Sequence, residues 1–300
     1  MIGLLFPGQG AQTPGMGAAT REHPAGREIF ATASEVLGYD LAELCADGPA
    51  EKLDQTRYAQ PALFTVGIAA AEVLRATDPS RLTNVGAVAG LSLGEYTAVC
   101  FAGGLSFENA LRLVNIRGDA MQDAADAVDS SMASVLGMPL DDLQSLCDSV
   151  RRDDEILQPA NLLCPGNIAV SGHRSAIERL IPAATDAGAM KVVPLSVAGA
   201  FHTPIMQPAV ARLTEALADM PIADTSMPVY SNVDAKPHTS AAEIRDLLAR
   251  QVVSPVRWED SVTAMIDDGV AKFEELGCGR VLRGTLKRIN RKFPADGFGD

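Results

Sequence analysis

No apolar run in this sequence reaches the ~18 residues that a membrane span requires, and the short apolar stretch Met1 to Phe6 lacks the basic flank of a secretion signal. Neither membrane insertion nor secretion is expected. A disulfide or zinc framework is missing as well. The five cysteines are odd in number and include no C-x-x-C pair, which leaves scattered thiols, a reducing cytoplasmic setting and no metal site. Basic residues are outnumbered, 25 Lys and Arg against 38 Asp and Glu. The formal net charge of −13 argues against a nucleic-acid partner, because phosphate binding asks for a basic footprint. Histidine is scarce too, so an imidazole base has only four candidates. What remains is a chain that is 47% hydrophobic and long enough to bury a full core, as one large domain or a large domain carrying an insertion.

Strands and helices alternate along that chain, with no repeat and no low-complexity tract. The apolar runs Ile2 to Phe6 and Val85 to Leu91 both stop at glycine-rich turns, which is how parallel strands covered on both faces read. Between them, Pro61 to Leu74 has helical spacing and predicts a buried helix; Ser106 predicts the N-cap of a long helix reaching about Ala125. From about Ala127 the grammar changes. Met132 to Leu136, Leu140 to Val150, Ile156 to Leu163, Asn167 to Ser171, Arg174 to Ala187 and Met190 to Val197 read as strand, helix, strand, strand, helix, strand. That βαββαβ order is the ferredoxin-like pattern, and it predicts a small domain inserted into a larger one that resumes near Gly199.

The stretch richest in chemical information is Gly90-Leu91-Ser92-Leu93-Gly94-Glu95-Tyr96, a G-x-S-x-G nucleophile elbow at the end of a strand. A strand that turns directly into a helix leaves its apex residue strained and crowded, so small residues are needed two positions to either side. Ser92 is thereby exposed at a helix N-terminus, where free N–H groups favour an oxyanion. The helix predicted over Glu95 to Phe101 ends at Gly103-Gly104.

A nucleophilic serine needs a base. His23, His173 and His238 read as solvated loop residues. His202, in Gly199-Ala200-Phe201-His202-Thr203-Pro204, lies at the boundary of the small domain; it is either a loop histidine or the base for Ser92. Arg117 shares a helix face with Ala110, Leu113, Val114 and Met121. A guanidinium on a core-facing stripe asks for an anion, either an internal carboxylate or the carboxylate of a substrate.

Six ordered stretches carry a resemblance that spans nearly the whole chain: Phe6-Pro7-Gly8-Gln9-Gly10-Ala11-Gln12, the elbow, Ile116-Arg117-Gly118-Asp119-Ala120-Met121-Gln122, Gly199-Ala200-Phe201-His202, Ser231-Asn232-Val233 and Pro255-Val256-Arg257-Trp258. Together they resemble the malonyl-CoA:acyl carrier protein transacylase family, which includes discrete acyltransferases of polyketide synthases. The resemblance implies an α/β fold with an α/β-hydrolase-like catalytic domain over 1–126 and 198–300 and a ferredoxin-like small domain over 127–197. It implies a ping-pong exchange with malonyl-CoA as substrate and no bound cofactor, serving fatty acid or polyketide synthesis. Ser92 would be acylated and His202 would take and return its proton. The N–H groups of Gln9 and Leu93 would form the oxyanion hole, Arg117 would hold the malonyl carboxylate, and the main-chain carbonyl of Gln251 would orient His202. Leu93 and Phe201 are bulky where methylmalonyl enzymes tend to carry Gln and Ser, which favours malonyl. Two residues depart from the family pattern: Leu91 stands where histidine is usual and Asn167 where glutamine is usual.

An acyl carrier protein is the implied partner, and the chain itself is expected to be a monomer. Such carriers are acidic, as is this chain, so encounter needs a local basic patch. Arg280, Arg283, Lys287, Arg288, Arg291 and Lys292 fall in a segment free of Asp and Glu, either as a solvated helix face or as a docking surface built on Arg283, Lys287, Arg288 and Arg291. A serine hydrolase or thioesterase acting on carrier thioesters shares Ser92 and His202 but has no need of an arginine clamp.

Overall fold

The computed structural model describes residues 1–299. Its strands are β1 (Ile2–Phe6), β2 (Val85–Gly90), β3 (Ser130–Leu136), β4 (Leu157–Cys164), β5 (Asn167–His173), β6 (Lys191–Leu195), β7 (Val229–Tyr230), β8 (Pro237–His238), β9 (Lys272–Leu276) and β10 (Ala295–Phe298). They form a mixed α/β fold with two sheets. The first has order β10-β9-β1-β2-β7-β8, and only its β7/β8 pair is antiparallel; the second has order β4-β5-β3-β6 and is antiparallel throughout.

The apolar run of β1 is buried from Gly3 to Phe6, as expected of a central strand with helices on both faces. Its register with β2 pairs Phe6 with Gly90, so both strands end at the same level. The turns that follow them, Pro7 to Gly10 and Leu91 to Ser92, therefore lie side by side, and the Leu91 N–H bonds to the Phe6 carbonyl at 3.0 Å. In parallel sheets, sites form at such carboxyl ends.

The long helix after Ser106 runs over Phe107–Asp126, and the Ser106 hydroxyl accepts from the Asn109 N–H as an N-cap should. The preceding central helix is longer than expected, Thr56–Thr77 with Pro61 inside it. Proline commonly marks a first turn, which is why the sequence suggests a start there. The true start is capped from elsewhere: the Thr56 N–H bonds to Gln122 Oε1 of the Phe107–Asp126 helix.

The second sheet carries the helices Leu140–Val150 and Arg174–Asp186, in the strand and helix order expected. Its core of Val135, Leu143, Leu157, Val170, Ile177 and Leu180 is separate from the main cluster. β6 is shorter than expected, and as an edge strand it tolerates Pro194.

Candidate active site

At the elbow, β2 gives way to the helix Leu93–Phe101, and Ser92 sits at the junction with φ 50° and ψ −103°. The glycines are required by contact. A Cβ on Gly90 would lie 1.8 Å from the Gly94 carbonyl carbon, and one on Gly94 would lie 2.1 Å from the Phe6 oxygen. The Ser92 N–H is held by Asn232 Oδ1 at 2.6 Å, and Asn232 Nδ2 donates to the Gly90 carbonyl at 2.8 Å. Asn232 thus clamps the strained turn from both sides, at the end of the two-residue strand β7.

His202 Nε2 lies 2.8 Å from Ser92 Oγ, and its Nδ1 lies 2.9 Å from the Gln251 carbonyl oxygen. A carbonyl only accepts, so Nδ1 carries the proton and Nε2 is left to accept from the serine. Burial and then the nearby Arg117 charge push the imidazole down to about 4, against smaller opposing contributions from the Gln251 and Ser254 main chain. The ring is therefore neutral at pH 7, the state a general base requires.

Arg117 is fully buried. It donates to Gln60 Oε1 at 2.6 Å, to Gln251 Oε1 at 2.9 Å and to Ser92 Oγ at 3.0 Å, with its guanidinium 5.1 Å from the Tyr96 ring centre. Its Nε–H has no acceptor, and no ion pair links it to a carboxylate among the described residues. Burial lowers its pKa, yet a guanidinium stays charged. The internal salt bridge left open by the sequence is not formed.

A cavity of about 100 Å³ opens above Ser92, with Gln60, Arg117 and His202 on its polar side and Leu91, Met132 and Phe201 on its apolar side. Gln9 and Leu93 also line it; Leu93 is the first residue of its helix, and neither main-chain N–H has a hydrogen-bond partner among the described residues. Leu91 thus reaches the cavity wall. Asn167 does not line the cavity and instead accepts a bond from Ser134 Oγ in the second sheet.

Three functional groups escaped sequence reasoning. Glu95 is buried, and its Oε2 accepts from Gln251 Nε2 at 2.6 Å and from the Asn232 N–H at 3.0 Å. Gln60 and Asn232 complete the shell. Glu95 and Asn232 lie inside the quoted motifs, but no spacing rule reports what a side chain meets across the fold. The other histidines are not simply solvated. His23 caps the helix Pro24–Leu37, His173 Nδ1 accepts from the Ile156 N–H, and His238 lies within 3.3 Å of both Asp234 and Glu243. In the basic segment, Arg280, Lys287, Arg288, Arg291 and Lys292 are exposed, whereas Arg283 is turned onto the buried Glu275 at 3.1 Å. Arg288 also donates to the carbonyls of Pro165 and Gly166.

Comparison with known proteins places this geometry in context. Residues 4–288 match the acyl transferase domain family. The chain is 42% identical to the malonyl CoA-acyl carrier protein transacylase of Bacillus subtilis (strain 168), across 97% of this chain and 91% of that protein. It is 41% identical to the mitochondrial malonyl-CoA-acyl carrier protein transacylase of Homo sapiens, across 96% of this chain and 76% of that protein. Among solved structures, the malonyl CoA-acyl carrier protein transacylase of Coxiella burnetii superposes with a TM-score of 0.94 at 36% identity, covering 99% of this chain and 93% of that one. A malonyl-transacylase in complex with its type II PKS acyl-carrier protein superposes with a TM-score of 0.95 at 37% identity, covering 100% of this chain and 96% of that one.

Proposed function

The chain belongs to the malonyl-CoA:acyl carrier protein transacylase family, and from that premise we propose how its own residues carry the transfer of malonyl from malonyl-CoA to a carrier thiol. The reaction serves fatty acid or polyketide synthesis, takes malonyl-CoA as substrate and needs no bound cofactor. Ser92 Oγ attacks the thioester carbonyl as its proton passes to His202 Nε2. The negative charge on the carbonyl oxygen is received by the N–H groups of Gln9 and Leu93, the latter at a helix N-terminus. The C–S bond then breaks, the departing thiolate takes the proton from His202, and malonyl remains as an ester on Ser92. In the second half, His202 takes the proton of the carrier thiol, the sulfur attacks the ester carbonyl, and Ser92 leaves with the returned proton.

The observation that carries this reading is Arg117, a buried guanidinium with no carboxylate partner among the described residues, donating to the nucleophile at 3.0 Å. It supplies the counter-charge for the free carboxylate of malonyl and holds the acyl-enzyme in place for the thiol. Leu93 and Phe201, both on the cavity wall, restrict the carbon between the two carbonyl groups.

At the level of architecture, the large sheet is read as an α/β-hydrolase-like body (1–126 and 198–300), supported by the elbow at the β2 end. Residues 127–197 are read as a ferredoxin-like insertion, supported by the β4-β5-β3-β6 order. Carrier docking is assigned to the exposed Lys287, Arg288 and Arg291, with Arg283 as their internal anchor on Glu275. The chain is read as a monomeric unit, and the odd number of cysteines with no C-x-x-C pair supports a reducing cytoplasm. The decisive experiment is intact-protein mass spectrometry after brief exposure to malonyl-CoA. A malonyl adduct that is lost in Ser92→Ala and passes to a carrier thiol is expected; CoA release without an adduct would assign a hydrolase instead.

A further inference from the structure

The site contains a second buried charge that the transfer steps do not use. Glu95, on the helix Leu93–Phe101, and Arg117, on the helix Phe107–Asp126, face the two ends of one amide, that of Gln251. Gln251 Oε1 accepts from Arg117 at 2.9 Å, and its Nε2 donates to Glu95 Oε2 at 2.6 Å and to the Ser92 carbonyl at 2.9 Å. Only this orientation works, since a flipped amide would aim its NH2 at the guanidinium and its oxygen at two other oxygens. Glu95 Oε2 also accepts from the Asn232 N–H, whose side chain holds the Ser92 N–H. A buried carboxylate is costly to retain, and one set among neutral donors asks for a reason.

We propose that Glu95 is a positioning residue that acts as an internal counterion held one amide away from Arg117, stabilising the buried guanidinium without touching it and so leaving the cation to a substrate carboxylate. A carboxylate in direct contact would take up its remaining donors and close the clamp. With the amide between them the charges attract, while the Arg117 Nε–H, which has no acceptor, and one Nη1 proton stay available. The same carboxylate, through Asn232 and Gln251, fixes the main chain on both sides of the nucleophile. Burial pushes the Glu95 carboxyl up to about 6, so at pH 8 it is an anion. Part of the Arg117 field at the acyl carboxylate is thereby offset, and removing the Glu95 charge strengthens the hold on an anionic acyl group.

This inference rests on the transacylase reading, and its test separates the two. KM and kcat for malonyl-CoA and for acetyl-CoA, which lacks the carboxylate, are measured at pH 8 with full-length wild type, Glu95→Gln and Glu95→Asp. In Glu95→Gln, which keeps the acceptor oxygen but not the charge, the malonyl to acetyl KM ratio is expected to fall about tenfold, as befits loss of a nearby unit charge at an effective dielectric of about 20. Glu95→Asp keeps the charge on a shorter arm; it is expected to hold the wild-type ratio while lowering kcat for both donors. An unchanged ratio in Glu95→Gln, or equal shifts for the two donors, overturns the counterion role, and so does an altered ratio in Glu95→Asp if Glu95→Gln does not fold. If wild type itself forms no malonyl adduct on Ser92, the transacylase reading falls instead.

Discussion

Replacing Arg117 by methionine separates what the guanidinium does for the fold from what it does for the substrate. Met has a similar length and no charge. In the wild type the guanidinium makes bonds of 2.6, 2.9 and 3.0 Å to Gln60, Gln251 and Ser92 while fully buried. Losing it strands two amide oxygens, at about 1–3 kcal/mol each, but also removes a buried cation whose desolvation costs several kcal/mol. These oppose one another, so the melting temperature is expected to move by less than about 5 °C, given ~2–4 °C per kcal/mol for a chain near this size. The malonyl carboxylate has no such compensation. Two charge-assisted hydrogen bonds, each worth about 1.5–3 kcal/mol, correspond to a loss of roughly 10²- to 10⁴-fold in kcat/KM for malonyl-CoA. Acetyl-CoA lacks the carboxylate, so its transfer is spared this loss. The assay is donor-dependent acylation of Ser92 at pH 8, where His202 is neutral in both proteins, with thermal unfolding alongside. A folded Arg117→Met protein whose malonyl to acetyl preference matches wild type would refute the clamp; a collapse of the melting temperature by more than ~10 °C would show that the arginine is primarily structural.

Three further outcomes follow from the same geometry. Because the folded state holds His202 near 4 and the unfolded chain near 6.5, the neutral ring is favoured by folding; the contribution, on the order of 3 kcal/mol, is present above pH 6.5 and lost as pH falls toward 4. The acid limb of kcat/KM should accordingly lie near pH 4, and a limb near 6.5 in a pH-rate profile would contradict the burial argument. Phe201→Ala, which widens the cavity wall, is expected to raise methylmalonyl-CoA use relative to malonyl-CoA by about tenfold, within the ~1–3 kcal/mol a methyl group can supply; competition between the two donors measures it. Reversing charge at Arg288 and Arg291 is expected to raise KM for the carrier and flatten its salt dependence without altering Ser92 malonylation, and unchanged salt dependence would reject the docking surface.

The legible parts of this molecule are those whose cause is local. The helix Leu140–Val150 begins and ends where its apolar spacing does, and the elbow needs only its own glycines and the strand before it. Arg117 could be singled out because its helix face was countable, although spacing could not say whether its anion was internal. The start of the helix Thr56–Thr77 was illegible because its cap, Gln122, is 66 residues away. β7 and β8 have two residues each, too few to show a period. The bonds of Glu95 to Asn232 and Gln251 span 137 and 156 residues. Their partners meet only once these distant segments are packed together, so no reading of a window could find them.

Under the proposed mechanism, Gln251 accounts for a serine and histidine pair that works without an acidic third member. A carboxylate beside His202 would raise the basicity of the imidazole, but so near Arg117 it would also offer the guanidinium a direct partner. Gln251 avoids that conflict with two neutral groups, its carbonyl on His202 Nδ1 and its side-chain oxygen on Arg117. The consequence is a weak base, because after burial the Arg117 charge is the next cause that lowers the His202 pKa. Arrival of malonyl removes part of that effect, since its carboxylate neutralises the guanidinium at the moment the ester forms. His202 should therefore be more basic in the malonyl-enzyme than in the free enzyme, and better able to take the proton of the incoming carrier thiol. Single-turnover transfer from pre-formed acyl-enzymes tests this: the acid limb for malonyl-Ser92 should lie at higher pH than that for acetyl-Ser92, in which Arg117 remains uncompensated. Coincident limbs would mean that the acyl carboxylate does not reach the Arg117 field at His202, and the coupling between clamp and base would have to be abandoned.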